Sequence, residues 1–156
     1  MKREDVANGF IYSQEWADTC ASYGIRSGGL IKPQCVIEPT HLTYSFVERM
    51  YTTAMNRGYD AAGRAYWATQ LANFDITGEQ VGASFFLSDE MNGYNLSDKE
   101  FIQRLYLTFM DRDPDQAGLD YWMSFAKEHS RADLVFGFTR SPEFTTKCIE
   151  ARILPY

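Results

Sequence analysis

The chain is poor in the groups that most recognisable chemistries need. It holds two histidines, His41 and His129, and three cysteines, Cys20, Cys35 and Cys148, in 156 residues. No H-E-x-x-H, G-x-S-x-G or phosphate-cradling glycine loop occurs, which removes the usual signatures of a zinc hydrolase, a nucleophile elbow and a nucleotide site. Cysteine usage shows no C-x-x-C pair, and an odd count favours thiols or at most one bridge, with Cys20 and Cys35 the nearest pair. Positive charge is in deficit: 15 Lys+Arg stand against 21 Asp+Glu, so the net charge of −6 lacks the basic footprint of a nucleic-acid partner. No apolar run approaches the roughly 20 residues of a membrane span. Acids follow the basic pair in Met1-Lys2-Arg3-Glu4-Asp5 without an apolar stretch, so no signal peptide is legible. The expectation is a non-enzymatic chain without a cofactor, without nucleic acid and without membrane insertion.

What is present is apolar and aromatic. Hydrophobic residues make up 45% and aromatics 15%, enough to bury a core in a chain of this length. The aromatics recur in register. With an offset of 55, Phe46, Arg49, Tyr51, Thr53, Met55, Arg57 and Asp60 meet Phe101, Arg104, Tyr106, Thr108, Met110, Arg112 and Asp115. Ala62, Gly63, Tyr66 and Trp67 meet Ala117, Gly118, Tyr121 and Trp122, and after a two-residue gap Phe85, Ser88 and Glu90 meet Phe138, Ser141 and Glu143. The N-terminus repeats the same tail at an offset of 128, from Arg3 against Arg131 to Cys20 against Cys148. Repeats of this length mean stacked supersecondary units. The division is therefore 1–25 as the C-terminal part of a preceding repeat, 26–41 as linker, 42–94 as repeat one and 95–156 as repeat two, or all of these packed as one compact helical domain. A longer parent chain with flanking domains is expected.

Each unit reads as helical. Phe101, Ile102, Leu105, Tyr106, Phe109 and Met110 fall on one face at a 3.6-residue period, and Phe46, Val47, Met50, Tyr51, Ala54 and Met55 repeat that stripe. Ser97 with Glu100 forms a capping box, which satisfies two orphan amide donors. The R-x-x-D segment breaks the helix, and Asp60 and Asp115 are placed to cap the next one. Thr77 and Ser130 open a third, Ser141-Pro142-Glu143 a fourth, and Ser13-Gln14-Glu15 an earlier one that ends near Gly24. Only Cys35-Val36-Ile37 reads as a short extended piece. The predicted fold is all-α: tandem helical repeats, each of about three to four short helices joined by tight loops.

Two stretches invite a functional reading. Asp111, Asp113 and Asp115 alternate like ligands of a calcium loop, but the sixth and twelfth positions counted from Asp111 are Gln116 and Trp122, where a calcium loop needs glycine and a bidentate acid. The sibling loop offers only Asn56, Gly58 and Asp60. The preferred reading is a structural corner of Arg57, Asp60, Gly63 and Trp67, and of Arg112, Asp115, Gly118 and Trp122, with the glycines permitting close helix packing. The tryptophans are expected in the core. Tyr66 and Tyr121 point about 100° away from them on the helix and are the expected exposed, binding members. His129 beside Ser130, and the acids Asp89-Glu90, read as a solvated helix junction and a helix start.

The segments Phe101 to Tyr106, Arg112 to Trp122, Gly137 to Phe144 and Cys20 to Ile25 together resemble a bacterial family catalogued only as a domain of unknown function, number four-two-one-four. Its recurring motifs are F-x-x-x-L-Y, G-R-D-P-D-x-x-G-x-x-Y-W, G-F-x-x-S-x-E-F and L-C-x-x-Y-G-I, and in motif it is similar to phycobilisome linker domains, which are helical scaffolds. The glycine usual before the arginine is Asn56 or Asp111 here, and Gly58-Tyr59 replaces Asp113-Pro114 in the first copy. The resemblance implies a repeated module of a secreted or cell-surface protein and brings no catalytic residue with it. From the repeat organisation, the acidic charge and the absence of catalytic motifs, the chain is expected to be a helical interaction module for a protein or cell-envelope glycan. The alternatives are a structural spacer, a calcium-dependent module or a small enzyme.

Overall fold

The computed structural model describes residues 37–156, together with Glu15 and Asp18, which are helical. The chain divides into two compact bodies, Met1–Val36 and Ile37–Tyr156, and the second holds both whole repeats. The early helix ending near Gly24, the 1–25 and 26–36 assignments, and Cys20 and Cys35 lie outside the described residues.

Helix is the only regular secondary structure among the described residues, which form tandem repeats of four helices. Unit one contains α1 (His41–Arg49, continued by a π-helical turn Met50–Ala54), α2 (Ala61–Ala72), α3 (Gly78–Phe86) and α4 (Asp89–Gly93). Unit two contains α5 (Asp98–Leu105, continued by a π-helical turn Tyr106–Met110), α6 (Gln116–Phe125), α7 (Arg131–Thr139) and α8 (Pro142–Glu150). None of these helices is long and apolar enough to cross a membrane.

Local chemistry explains every start. Each of these short helices opens on a Ser, Thr or Asp whose side chain accepts an amide hydrogen of the first turn. Thr77–Gln80, Ser97–Glu100 and Ser130–Asp133 are reciprocal capping boxes. Two boundaries differ from the sequence reading. Helix α1 opens at His41, inside the 26–41 stretch, because Thr40 supplies the cap. The first helix of each unit also fails to keep its 3.6-residue period to the end. Its last turn widens, with Met55 N–H donating to Met50 O across five residues, and the next residue, Asn56 or Asp111, turns left-handed at φ 47° or 57°. Asn and Asp are the non-glycine residues that best tolerate this conformation. That is the position where the related motif carries glycine.

The two units share one core rather than each owning one. Phe109 of unit two lies 5.1 Å from Phe86 of unit one and 5.1 Å from Phe144 of its own unit, ring centre to ring centre. Phe86 in turn meets Phe101 edge-on at 5.6 Å. Burying a phenylalanine in this way stabilises by about 1.5–3 kcal/mol each. The C-terminal segment closes the packing: Gly78 and Glu79 at the start of α3 donate to the carbonyls of Leu154 and Pro155 at 2.7 and 2.8 Å.

The pairing is reciprocal, as an approximate two-fold relation requires. One groove of about 440 Å³ takes Ser45, Glu48, Arg49 and Thr52 from unit one and Asp111 from unit two. A second of about 480 Å³ takes Glu100, Gln103, Arg104 and Leu107 from unit two and Asn56 from unit one. A shift of 55 residues, forward for the four residues of unit one and back for Asp111, gives the second set with the units exchanged. Arg49 approaches Asp111 Oδ2 at 3.8 Å, and its counterpart Arg104 donates to Ala54 O at 2.9 Å. Each arginine thus reaches the end of the other unit's π turn.

Candidate functional site

The corner is built twice to one plan. After the left-handed residue, Arg57 Nε and Nη2 donate to the two carboxylate oxygens of Glu90 at 2.6 and 3.1 Å. Arg112 does the same to Glu143 at 2.8 and 2.9 Å. Each guanidinium lies 5.0 Å from a ring centre, Tyr51 in unit one and Tyr106 in unit two, and each Nη1 turns back to the carbonyl of the following residue, Gly58 or Asp113, at 3.3 Å. Asp60 and Asp115 cap α2 and α6 by accepting from Gly63 and Gly118 N–H at 2.7 Å.

The glycines let a tyrosine from the end of the first helix lie against the first turn of the second. A Cβ on Gly63 would lie 2.7 Å from the Tyr51 hydroxyl, and one on Gly118 would collide with the Tyr106 hydroxyl. The capping carboxylates crowd the same positions, Asp60 at 2.8 Å and Asp115 at 3.2 Å. Burial pushes the Tyr51 phenol above its ordinary value and the neighbouring Asp60 carboxylate adds to this, while a Trp67 hydrogen bond opposes it. Glu90 and Glu143 are held below the usual carboxylate range, chiefly by the hydrogen bonds from Arg57 and Arg112.

The tryptophans depart from expectation. Trp67 and Trp122 are half-buried, packed against the rim of the core, and no residue of α6 is fully buried. Trp122 stacks on Phe138 at 4.5 Å and covers Gly137, where a Cβ would lie 2.6 Å from its ring. A ring of this size cannot enter a core already filled by phenylalanines from both units, so it seals the edge. Tyr66 and Tyr121 point outward, 57% and 61% exposed, each meeting its neighbouring tryptophan at 5.2 Å.

The acids of the suspected calcium loop have separate partners. Asp111 faces Arg49, Asp115 is held by the Gly118 amide, and Asp113 contributes its carbonyl to Arg112. No group of three or more His, Cys, Asp or Glu able to hold a metal occurs among the described residues. Cys148 is a buried free thiol whose pKa burial pushes up to about 12.

Sequence reasoning missed four participants in the corners. Glu90 and Glu143 are ion-pair partners, not merely helix-start acids, and Tyr51 and Tyr106 hold the corners from above. All four are repeat identities, so the signal was present; only the contact over 31 or 33 residues was not. His129 is exposed at the helix junction, as read, and also stacks on Phe125 at 3.7 Å with the rings 7° from parallel, its Nδ1 3.0 Å from Phe125 O. With Tyr121, 6.4 Å from Phe125 and tilted by 25°, these rings form a ladder running off the C-terminal end of α6. It borders a shallow recess of about 250 Å³ lined also by Ser124 and Glu128.

Fold and corner together define a class: a helical module duplicated in tandem, each copy locked by an arginine held between a tyrosine ring and a carboxylate. The family described as Domain of unknown function (DUF4214) matches this chain twice, over residues 40–94 and 82–148, and the chain belongs to it. No curated protein and no solved structure matched the chain.

Proposed function

We propose that this protein is a non-enzymatic interaction module of a secreted or cell-surface protein, acting without a cofactor on a protein or cell-envelope glycan and not on nucleic acid. The observation that carries the reading is the pair of outward tyrosines, Tyr66 and Tyr121, standing at equivalent places on α2 and α6. Aromatic rings left in water combine apolar area with a polar handle, which is the composition of a contact surface. The corner's polar groups support it from the other side. Arg57, Arg112, Glu90, Glu143, Asp60 and Asp115 are engaged with one another or with backbone, which suits a joint better than a reacting centre.

The test is a pull-down of cell-envelope fractions together with a glycan array, using the whole chain and a Tyr66→Ala/Tyr121→Ala variant. Retention that the double variant loses supports the module. No retention on either would favour a spacer that only holds flanking domains. Calorimetric titration with calcium should give no heat; a saturable signal would restore the Asp111–Asp113–Asp115 loop as a cation site.

A further inference from the structure

Within this fold arginines are seated in one recurrent way. Arg57, Arg112 and Arg140 lie 5.0, 5.0 and 5.1 Å from the ring centres of Tyr51, Tyr106 and Phe136 while binding Glu90, Glu143 and Glu79. Arg64 lies 4.2 Å from the Tyr44 ring and pairs with Glu48 at 2.7 Å. Ring and carboxylate together make a guanidinium socket, because the electron-rich face and the negative charge both favour a planar cation.

The far end of α6 holds the same parts without the cation. Tyr121, Phe125 and Glu128 line one recess. Glu128 is exposed and takes part in none of the ion pairs among the described residues, and no arginine of those residues lies over Tyr121 or Phe125. One face of Phe125 is covered by His129, so the rings offer an outer face and edges beside a carboxylate rather than an open platform for a flat sugar.

The repeat supplies an independent observation. Asn73 is the C-cap residue of α2, as Ala126 is of α6, and Asn73 grips a passing stretch of backbone. Ile37 N–H donates to Asn73 Oδ1 at 2.9 Å, and Asn73 Nδ2 donates to Ile37 O at 3.2 Å. Ile37 lies outside any helix. In unit one, this end of the second helix therefore already receives an irregular segment of polypeptide. In unit two the end of α6 carries a pair of rings, with a carboxylate two residues past the cap.

We propose that the C-terminal end of α6 docks an irregular segment of a partner protein through an arginine side chain, which sits against Tyr121 and Phe125 with Glu128 as its counter-charge. This rests on the interaction-module reading and names the partner's chemistry for one of its surfaces.

The test titrates the whole chain with a blocked Gly-Arg-Gly tripeptide at neutral pH and follows backbone amide shifts by NMR. The expected result is a saturable shift confined to residues 121–129. Affinity should fall about tenfold for Glu128→Gln, for Tyr121→Ala, and for the uncharged citrulline tripeptide, as loss of a charge-assisted contact implies. Both substitutions are at exposed positions, so the folded spectrum elsewhere serves as the control. Equal binding of arginine and citrulline peptides would overturn the proposal, as would shifts at 121–129 that survive both substitutions, or no shift at all. A neutral β-linked oligosaccharide is titrated in parallel. If it shifts these amides and the tripeptide does not, the arginine proposal falls while the interaction module stands.

Discussion

Units one and two carry the same corner and different outer faces. The corner is duplicated nearly atom for atom, from the left-handed Asn56 or Asp111 through the arginine clamp to the capped glycine turn. The second helices have diverged. Helix α2 buries Ala68, Leu71 and Ala72, whereas α6 buries no residue fully, and its Tyr121 and Phe125 line a surface recess together with His129 beyond its end. The difference teaches what the repeat preserves. A helix break between two packed helices has few solutions, so its residues are held in both copies. The outer face answers to whatever lies beyond it, and that differs between the copies. A groove-by-groove match relates the units by exchange, yet Ala126 caps the end of α6 where Asn73 caps α2 and holds Ile37.

The comparison can be broken most forcefully at the shared core. Phe109→Ala, at a fully buried ring between Phe86 and Phe144, should cost about 3–5 kcal/mol. Residues 37–156 should still melt in one transition; two separate transitions, one per unit, would mean that each owns its core. Next in size come Gly63→Leu and Gly118→Leu, each expected to lose about 1–3 kcal/mol by driving a side chain into Tyr51 or Tyr106. Denaturant midpoints that moved for one glycine but not the other would refute the equivalence of the corners.

Smaller effects sharpen it. Asp60→Ala and Asp115→Ala should each remove about 1 kcal/mol with the lost cap. The ion pairs set an acid limit. Because Glu90 and Glu143 have folded pKa values below their unfolded ones, their stabilisation is present above the unfolded value and is lost as pH falls through the folded one. Both pairs are well exposed, so each contributes less than about 1 kcal/mol. Melts at pH 7 and below pH 4 should show Glu90→Gln and Glu143→Gln costing more at the higher pH, and a cost independent of pH would contradict the clamp. Least of all should be Glu128→Ala, within about 0.5 kcal/mol of wild type. Asn73→Ala should exceed it, since it frees Ile37; the reverse order would erase the contrast between the two faces.

Much of this was legible in the residues because it is local. Ser97 with Glu100, Ser141 with Pro142, and Asp115 three residues before Gly118 are each sufficient to start a helix wherever they stand. The repeat added the pairing of equivalent positions, and with it the outward direction of Tyr66 and Tyr121. Other features were not readable from one strand of text. A stripe at a 3.6-residue period does not announce that its last turn will widen. The arginine of the corner was recognisable, but Glu143 lies 31 residues further on. The tryptophans misled because burial was judged from side-chain size, when the available interior had already been filled by phenylalanines of both units.

By itself, then, the sequence determined the all-α class, the tandem repeat, the helix starts and the corner residues Arg57, Asp60, Arg112 and Asp115, since capping, periodicity and turn chemistry act over a few residues. Tertiary structure alone decided that the units interlock around one core, that Tyr51 and Tyr106 and the two glutamates complete the corners, and that one second helix buries residues fully while the other packs only partly buried side chains against the core. Those outcomes depend on which distant surfaces compete for the same buried volume, and that competition is settled only when the whole chain has closed.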